Sequence, residues 1–236
     1  MHRIITFGCS FTYGSELPDC VGQPKLNSLS QIWDRKPSQY AWPAVLGKLM
    51  NMDVCNQSHP GASNLEILCE VLDFKFRPDD IVVIMWSLSH RELIFEDVNS
   101  KSYKRKFGEK GLRPWRKLTV WSKGVMAEDF QKVKEIDYIK RTWIYMHHAD
   151  LYLKSKKLKY IHYPAAPYEI QELKPDFIEA PDNLYWTRTQ KIDAAADDRH
   201  PGIESHKLQA EEIKRVLEEV ETKRIAKKVK KLKELQ

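Results

Sequence analysis

The feature that most constrains the fold is a continuous apolar run, Ile81 to Trp86 (IVVIMW), which follows Asp80. A strand that is apolar at every position is typical of the middle of a parallel sheet, because helices cover both of its faces. Shorter runs at 3–6, 52–56 and 158–163 predict further strands of the same sheet. The sequence therefore predicts an α/β fold with a central parallel sheet.

Helical apolar spacing separates these runs. It predicts helices over 41–50, 64–76, about 127–156 and from about Ile203 onward. Because strand and helix patterns alternate from residue 3 to 221, we expect the helices to connect parallel strands and to flank the sheet. Two segments show no sustained period, namely 15–40, which would lie beside the first strand's end and wall a pocket there, and 168–196.

The first strand ends in a glycine-flanked turn, Gly8-Cys9-Ser10-Phe11-Thr12-Tyr13-Gly14. Glycines let the backbone turn sharply, which would leave the Ser10 hydroxyl at the carboxyl edge of the sheet. Open α/β sheets bind their ligands at that edge. The turn alone allows two interpretations: Ser10 is a functional hydroxyl, or it caps the helix that follows.

Charge is distributed unevenly along the chain. Residues 222–236 hold seven Lys or Arg and one Glu, whereas the other 221 residues hold 32 basic and 32 acidic groups. We therefore predict a neutral domain over 1–221 and a basic, helical tail over 222–236. Nucleic acid or an anionic surface are conceivable partners of this tail, but a solvated face is the favoured interpretation.

A second basic segment, residues 101–117, contains eight Lys or Arg, one Glu and three aromatic residues. It is interpreted as an insertion that contacts nucleic acid or an anionic membrane, covers the mouth of the site as a lid, or binds an acidic glycan. Arg91 follows the apolar strand and is a candidate anchor for an anionic or sugar substrate, with a surface ion pair to Glu92 as an equal alternative.

Several classes of protein are not expected. The chain has no run of about 18 apolar residues, and its first strand begins at residue 3, so neither a transmembrane helix nor a signal peptide is predicted. The four cysteines form no CxxC pair, and the histidines show no metal-binding spacing. We therefore expect a cytoplasmic protein with free thiols and without a metal site or an organic cofactor.

Four segments, taken in chain order over residues 3–215, resemble the sequence blocks of the SGNH hydrolases, also called GDSL esterases. Gly8-Cys9-Ser10 stands at the Gly-Asp-Ser nucleophile turn, Gly61 at the oxyanion glycine, and Asp197-x-x-His200 at the block before the last helix. The segment 86–91 stands at the third block. It departs from the family pattern because it lacks the asparagine of Gly-x-Asn-Asp, and Cys9 replaces the Asp of the first block.

The resemblance implies a three-layer α/β/α, flavodoxin-like fold and a triad of Ser10, His200 and Asp197. Asp and His three residues apart can pair through the imidazole Nδ1, which leaves Nε2 to face the serine. Pro201 fits a first helical position, so His200 would lie beside a helix N-terminus, whose dipole disfavours the imidazolium and favours a neutral base.

The oxyanion donors implied by the family are the backbone N–H groups of Ser10 and Gly61. Because the third-block asparagine is missing, Ser89 and Asn64 are the candidates for the third donor.

The predicted activity is hydrolysis of a carboxylic ester through an acyl-serine intermediate, with a short acyl group on a polar or carbohydrate carrier as the favoured substrate. Two alternatives remain. The protein is a catalytically weakened SGNH-fold protein that binds a glycan or nucleic acid, or it transfers the acyl group to an acceptor other than water.

Overall fold

The computed structural model describes residues 2–21, 36–89, 91–95, 115–119, 135–165, 181, 183–185 and 191–234. Its strands are β1 Arg3–Phe7, β2 Asp53–Asn56, β3 Ile81–Trp86, β4 Arg91–Phe95, β5 Trp115–Thr119 and β6 Lys159–Pro164. Its helices are α1 Ser10–Tyr13, α2 Trp42–Met50, α3 Asn64–Asp73, α4 Glu135–Ser155 and α5 Ile203–Glu234. The alternation of strands and helices confirms the predicted α/β class.

Four strands form a parallel sheet in the order β2-β1-β3-β6. The strand order reverses between β1 and β3, since β2 lies on one side of β1 and the later strands lie on the other. Loops that leave the carboxyl ends of two such strands diverge and open a crevice, which is where open α/β sheets bind ligands. The topology therefore predicts a ligand site between the segments that follow Phe7 and Trp86.

The continuous apolar run on β3 is explained by helices on both faces of the sheet. Val82, Ile84 and Trp86 belong to one buried cluster, with α3 and α4. Ile81, Val83 and Met85 belong to another, with α2 and α5. Since successive side chains of a strand point to opposite faces, every position of β3 is buried and every position is apolar.

Several predicted boundaries differ from the structure. The helix predicted over 64–76 ends at Asp73, after which Phe74 and Phe76 pack their rings against Phe7. The helix predicted over about 127–156 spans Glu135–Ser155, and 127–134 lie outside the described residues.

The antiparallel pair of β4 and β5 was not predicted. Residues 115–117, interpreted as part of an irregular insertion, lie on β5, while 101–114 lie outside the described residues. The predicted basic tail continues α5 without a break as far as Glu234. None of the described helices combines the length and apolarity that crossing a bilayer requires.

Candidate active site

The turn after β1 places Ser10 at the first position of α1. Gly8 leaves no room for a side chain, since a Cβ atom there would lie 2.1 Å from Thr12 Oγ1 and 3.0 Å from the carbonyl oxygen of Met85. Gly14 ends α1 with φ 79°, a left-handed conformation that glycine adopts at low cost, and donates its N–H to the Ser10 carbonyl at 3.0 Å. The two glycines therefore hold Ser10 in a tight turn beside the end of β3.

The Ser10 hydroxyl is buried without a partner. Ser10 is 4% exposed, and its Oγ makes no hydrogen bond to any residue that the structure describes. Because a capping serine would accept a backbone N–H, the interpretation of Ser10 as a helix cap is not supported. Buried hydroxyls are normally hydrogen-bonded, and Thr12 Oγ1 and Ser15 Oγ nearby are also unpaired among the described residues. Its place at the carboxyl edge of the sheet, where open α/β folds bind ligands, makes the Ser10 hydroxyl a candidate for contact with a substrate.

Asp197 and His200 form a fixed pair on the loop before α5. The imidazole Nδ1 lies 2.7 Å from Asp197 Oδ2. The other carboxylate oxygen accepts the backbone N–H groups of Arg199 at 3.1 Å and of His200 at 3.0 Å. Since Nδ1 donates to the carboxylate, a neutral His200 ring carries its free lone pair on Nε2.

The ionisation of Asp197 follows from these contacts. Burial by itself would raise the pKa of the carboxyl, but the hydrogen bonds from the backbone and ring of His200 and from the backbone of Arg199 outweigh it. The pKa of Asp197 is lowered to about 2. Asp197 is therefore a carboxylate at all ordinary pH values and holds the His200 ring by a charge-assisted bond.

The pair is linked to the serine turn through Phe11. The His200 ring meets the ring of Phe11, the residue after Ser10, edge to face at 5.6 Å between centroids. Ser10 Oγ and His200 Nε2 are not hydrogen-bonded in this structure. Catalytic hydrogen bonds are often long without substrate and tighten when it binds. The structure thus places the three predicted triad residues at one edge of the sheet, without a hydrogen bond between Ser10 and His200.

The prediction that Pro201 occupies the first position of the last helix is wrong. Pro201 pairs with Ala194 in an isolated bridge, and α5 begins two residues later, at Ile203. The carboxylate of Asp193 accepts the backbone N–H groups of Glu204 at 2.9 Å and Ser205 at 2.8 Å. The start of α5 is therefore neutralised by a carboxylate, so the helix dipole is not free to act on His200 as the sequence predicted.

Gly61 lies in the loop between β2 and α3, and this loop is attached to the serine turn. Gln57 donates its N–H to the carbonyl of Thr6 at 2.8 Å, and His59 donates to that of Gly8 at 3.3 Å. Gly61 has φ 75°, with open space where a Cβ would stand. Among the residues that the structure describes, the backbone N–H groups of Ser10 and Gly61 donate to no acceptor, as expected of donors kept for a ligand.

The structure contradicts the prediction that Asn64 is a free oxyanion donor. The Asn64 amide donates to the Ser87 carbonyl at 3.1 Å and to Thr142 Oγ1 at 3.0 Å, and its oxygen accepts the Ser87 N–H at 2.7 Å. Both amide hydrogens are used, and Asn64 is 2% exposed. Asn64 instead fastens the loop after β3 to α3 and α4, which makes it a positioning residue.

Ser89 retains the properties expected of a third donor. It follows β3, is 2% exposed, and its Oγ has no partner in the described part of the chain.

Arg91, the first residue of β4, donates from Nη1 to Ser87 Oγ at 3.2 Å. The Glu92 side chain, its alternative partner, lies outside what the structure describes.

Three supporting residues were not predicted. Asn56 at the end of β2 donates to the Thr12 carbonyl at 3.1 Å, which ties the second loop to α1. Glu66 on α3 lies 2.7 Å from His59 Nε2 and holds the loop that carries Gly61. Asp193 caps α5, as described above. An Asn that ends a strand was the available signal for Asn56, whereas the partners of the other two are set by the tertiary fold.

The described residues contain no group of three or more His, Cys, Asp or Glu side chains placed to hold a metal ion. What the arrangement offers chemically is a hydroxyl, a histidine oriented by a carboxylate, and several unpaired hydrogen-bond donors. These are the parts that acyl transfer requires.

No known family profile and no curated protein matches the sequence. Solved structures do match. TesA is 10% identical, with a TM-score of 0.52 over 92% of this chain and 99% of its own. A carbohydrate esterase, whose active site has divergent catalytic and non-catalytic binding functions, is 12% identical, with a TM-score of 0.50 over 92% of this chain and 65% of its own. A protein described as lipolytic and of the G-D-S-L family, from Desulfitobacterium hafniense DCB-2, is 15% identical, with a TM-score of 0.46 over 91% and 98%.

The similarities to TesA and to the carbohydrate esterase show the fold alone. The chain has the three-layer α/β fold of the SGNH hydrolases, with its parallel sheet between two helical layers, as the sequence predicted.

Proposed function

We propose that this protein, which has the fold of the SGNH hydrolases, is a serine esterase with Ser10, His200 and Asp197 as its triad. The observation that carries the proposal is the pairing of His200 Nδ1 with Asp197 at 2.7 Å, on a loop whose histidine ring contacts the residue after Ser10. The buried and unpaired Ser10 hydroxyl lies at the same edge of the sheet.

The reaction proceeds in two halves. Ser10 Oγ attacks the ester carbonyl carbon while its proton passes to His200 Nε2, and the same proton then leaves with the alcohol as the carbon–oxygen bond breaks. Water attacks the acyl-Ser10 ester in the second half, transferring a proton to His200, which returns it to Ser10 as the acid departs. Asp197 stays ionised throughout and stabilises the imidazolium that forms in each half.

The oxyanion of each tetrahedral intermediate is bound by the backbone N–H groups of Ser10 and Gly61 and by the Ser89 hydroxyl. This assignment rests on the free state of the two N–H groups and on the buried, unpaired Ser89 Oγ. A preorganised donor that meets only the developing charge stabilises the transition state more than the substrate. A serine hydroxyl thus takes the place of the third-block asparagine.

The proposed substrate carries a short acyl group on a sugar or another polar alcohol. The segments that follow the neighbouring strands are polar: Asn56 at the end of β2 bonds to the serine turn, Ser89 follows β3, and the partly buried Arg91 adds a cation. The likeness in fold to a carbohydrate esterase supports the same class. Arg91 is proposed to hold a hydroxyl or an anionic group of the carrier.

A fluorophosphonate probe tests the proposal directly. We expect one adduct per chain, mapped by peptide mass spectrometry to Ser10 and absent from Ser10→Ala. Ser15→Ala is the matched control, because Ser15 Oγ is also buried and unpaired, five residues away, and its removal should leave labelling intact. A folded protein that takes up no probe would contradict the esterase and favour the alternative of a binding protein, which the missing third-block asparagine supports.

Ser89→Ala should lower kcat by roughly 10²-fold with little change in KM, because the lost donor acts mainly on the transition state. Hydrolysis of p-nitrophenyl acetate measures both constants. Ser87→Ala is the comparison, since the Ser87 hydroxyl is already bonded to Arg91. Equal losses of kcat in the two variants would show that a disturbed loop, and not the loss of the Ser89 hydroxyl, lowers kcat.

A further inference from the structure

The excess positive charge of this protein lies outside its folded layers. Residues 222–236 carry a net charge of +6, while the rest of the chain is neutral. Such segregation differs from the mixed charges of an ordinary soluble surface, where both signs are interspersed. We call the helical part of this segment, residues 222–234, the basic arm.

Contacts at both ends of α5 show where the arm lies. Near its start, the loop residue His200 contacts Phe11 beside the serine turn, at the carboxyl edge of the sheet. Farther along, Glu221 Oε2 pairs with Lys159 Nζ at 3.0 Å. Lys159 is the first residue of β6 and aligns with Ile81, the first residue of β3, so Glu221 lies at the opposite, amino edge. The arm begins there.

The helix is exposed directly beyond Glu221. Residues 222–226 are all exposed, and Ile225 keeps 53% of its surface accessible. The helical backbone runs to Glu234, so the 13 residues of the arm extend over about 20 Å at about 1.5 Å per residue. The arm thus begins at the edge of the sheet opposite Ser10, and its first five residues are exposed.

We propose that the basic arm docks this protein on an anionic phospholipid surface. At 100° per residue, Ile225, Val229 and Leu232 fall within about 60° of the helix circumference, and basic residues occupy most of the remainder. An aliphatic strip with lysines around it fits the boundary between headgroups and acyl chains. The phosphates of a nucleic acid would make no favourable contact with the aliphatic strip. The arm also has no aromatic residue on which a base would stack.

The placement of the arm has a consequence for substrate access. Docking through the amino edge of the sheet leaves the carboxyl edge, with Ser10, facing water. The substrate is then taken from the aqueous side and not extracted from the bilayer beneath. Docking of the arm determines where the protein is located, and it does not depend on the proposed esterase activity.

Vesicle co-sedimentation of the intact chain tests the proposal. We expect binding to vesicles that contain phosphatidylserine, little binding to pure phosphatidylcholine, and release at high salt. Lys223→Gln/Arg224→Gln removes two exposed charges of the arm and should weaken binding roughly 30-fold, since each basic residue near such a surface contributes about fivefold. Ile225→Asn should weaken binding about tenfold, because part of the aliphatic strip becomes polar.

Lys207→Gln/Lys214→Gln is the matched control, since it removes the same charge nearer the start of the same helix, from the exposed Lys207 and the partly exposed Lys214. It should bind as the unmodified protein does. The proposal is overturned if binding does not depend on phosphatidylserine, if the control loses as much affinity, or if Ile225→Asn has no effect. Tight binding to duplex DNA with no vesicle binding would assign the arm to a nucleic acid instead.

Discussion

Asp197→Asn is expected to lower kcat by about 10⁴-fold while leaving the protein folded. The oxygen of the introduced amide would still accept the backbone N–H groups of Arg199 and His200, so the loop keeps its shape. The amide nitrogen, however, can only donate toward His200 Nδ1. That contact favours the tautomer with the proton on Nε2, which cannot accept the Ser10 proton. Steady-state hydrolysis of p-nitrophenyl acetate gives kcat, and circular dichroism verifies the fold.

Asp198→Asn is the control for this substitution. Asp198 is exposed and adjacent, so the two variants change charge by the same amount at neighbouring positions. We expect Asp198→Asn to keep its activity. If it loses as much as Asp197→Asn, or if Asp197→Asn retains a tenth or more of kcat, Asp197 does not orient the base.

The low pKa of Asp197 also sets a dependence of stability on pH. Because folding lowers this pKa to about 2, the ionised carboxylate stabilises the folded state at pH values above about 4, its ordinary range. That stabilisation is lost as the pH falls from about 4 toward 2. A loss of activity above about pH 4 would therefore reflect the titration of a group other than Asp197. Urea unfolding across this window should show the slope in the unmodified protein and a reduced slope in Asp197→Asn.

Asn64→Leu should lower the free energy of unfolding by roughly 2–5 kcal/mol, because it leaves the buried N–H and C=O of Ser87 unpaired while nearly preserving volume. A loss of that size is a large fraction of the stability of a typical domain. Urea denaturation followed by tryptophan fluorescence measures it.

Thr142→Val provides the comparison for Asn64→Leu. It removes one acceptor of the Asn64 amide, at 3.0 Å, together with the bond from the Thr142 hydroxyl to the Tyr138 carbonyl, and it leaves both bonds between Asn64 and Ser87 in place. We expect a cost of about 1 kcal/mol. If Asn64→Leu is no more destabilising than Thr142→Val, the pairing of Asn64 with the Ser87 backbone does not hold the third loop.

Local pattern was sufficient for the elements that define the fold. The run from Ile81 to Trp86 predicted a central strand because burial on both faces requires apolar residues at every position. Strong helical spacing likewise predicted α2 and α3. The pair of β4 and β5 escaped prediction because its two short strands are separated by 19 residues and are joined by no tight-turn sequence.

The site was predictable where chemistry depends on local spacing, and less so where it depends on distant contacts. Asp197 and His200 are three residues apart, so their pairing follows from one loop. The binding of Asn64 to Ser87 joins residues 23 apart in sequence, and nothing in the sequence signals it. The capping of α5 by Asp193 replaced the expected role of Pro201 for the same reason: its partners lie 11 and 12 residues farther along the chain.

The proposed triad draws its residues from the two ends of the sequence, and this affects how the protein is made. Ser10 leaves the ribosome directly after β1, whereas Asp197 and His200 follow only after β6, the last strand of the sheet. A nascent chain that ends before residue 200 carries the serine without its base. The proposed activity therefore requires synthesis of all the described strands of the parallel sheet, and a product truncated before that point is expected to lack it.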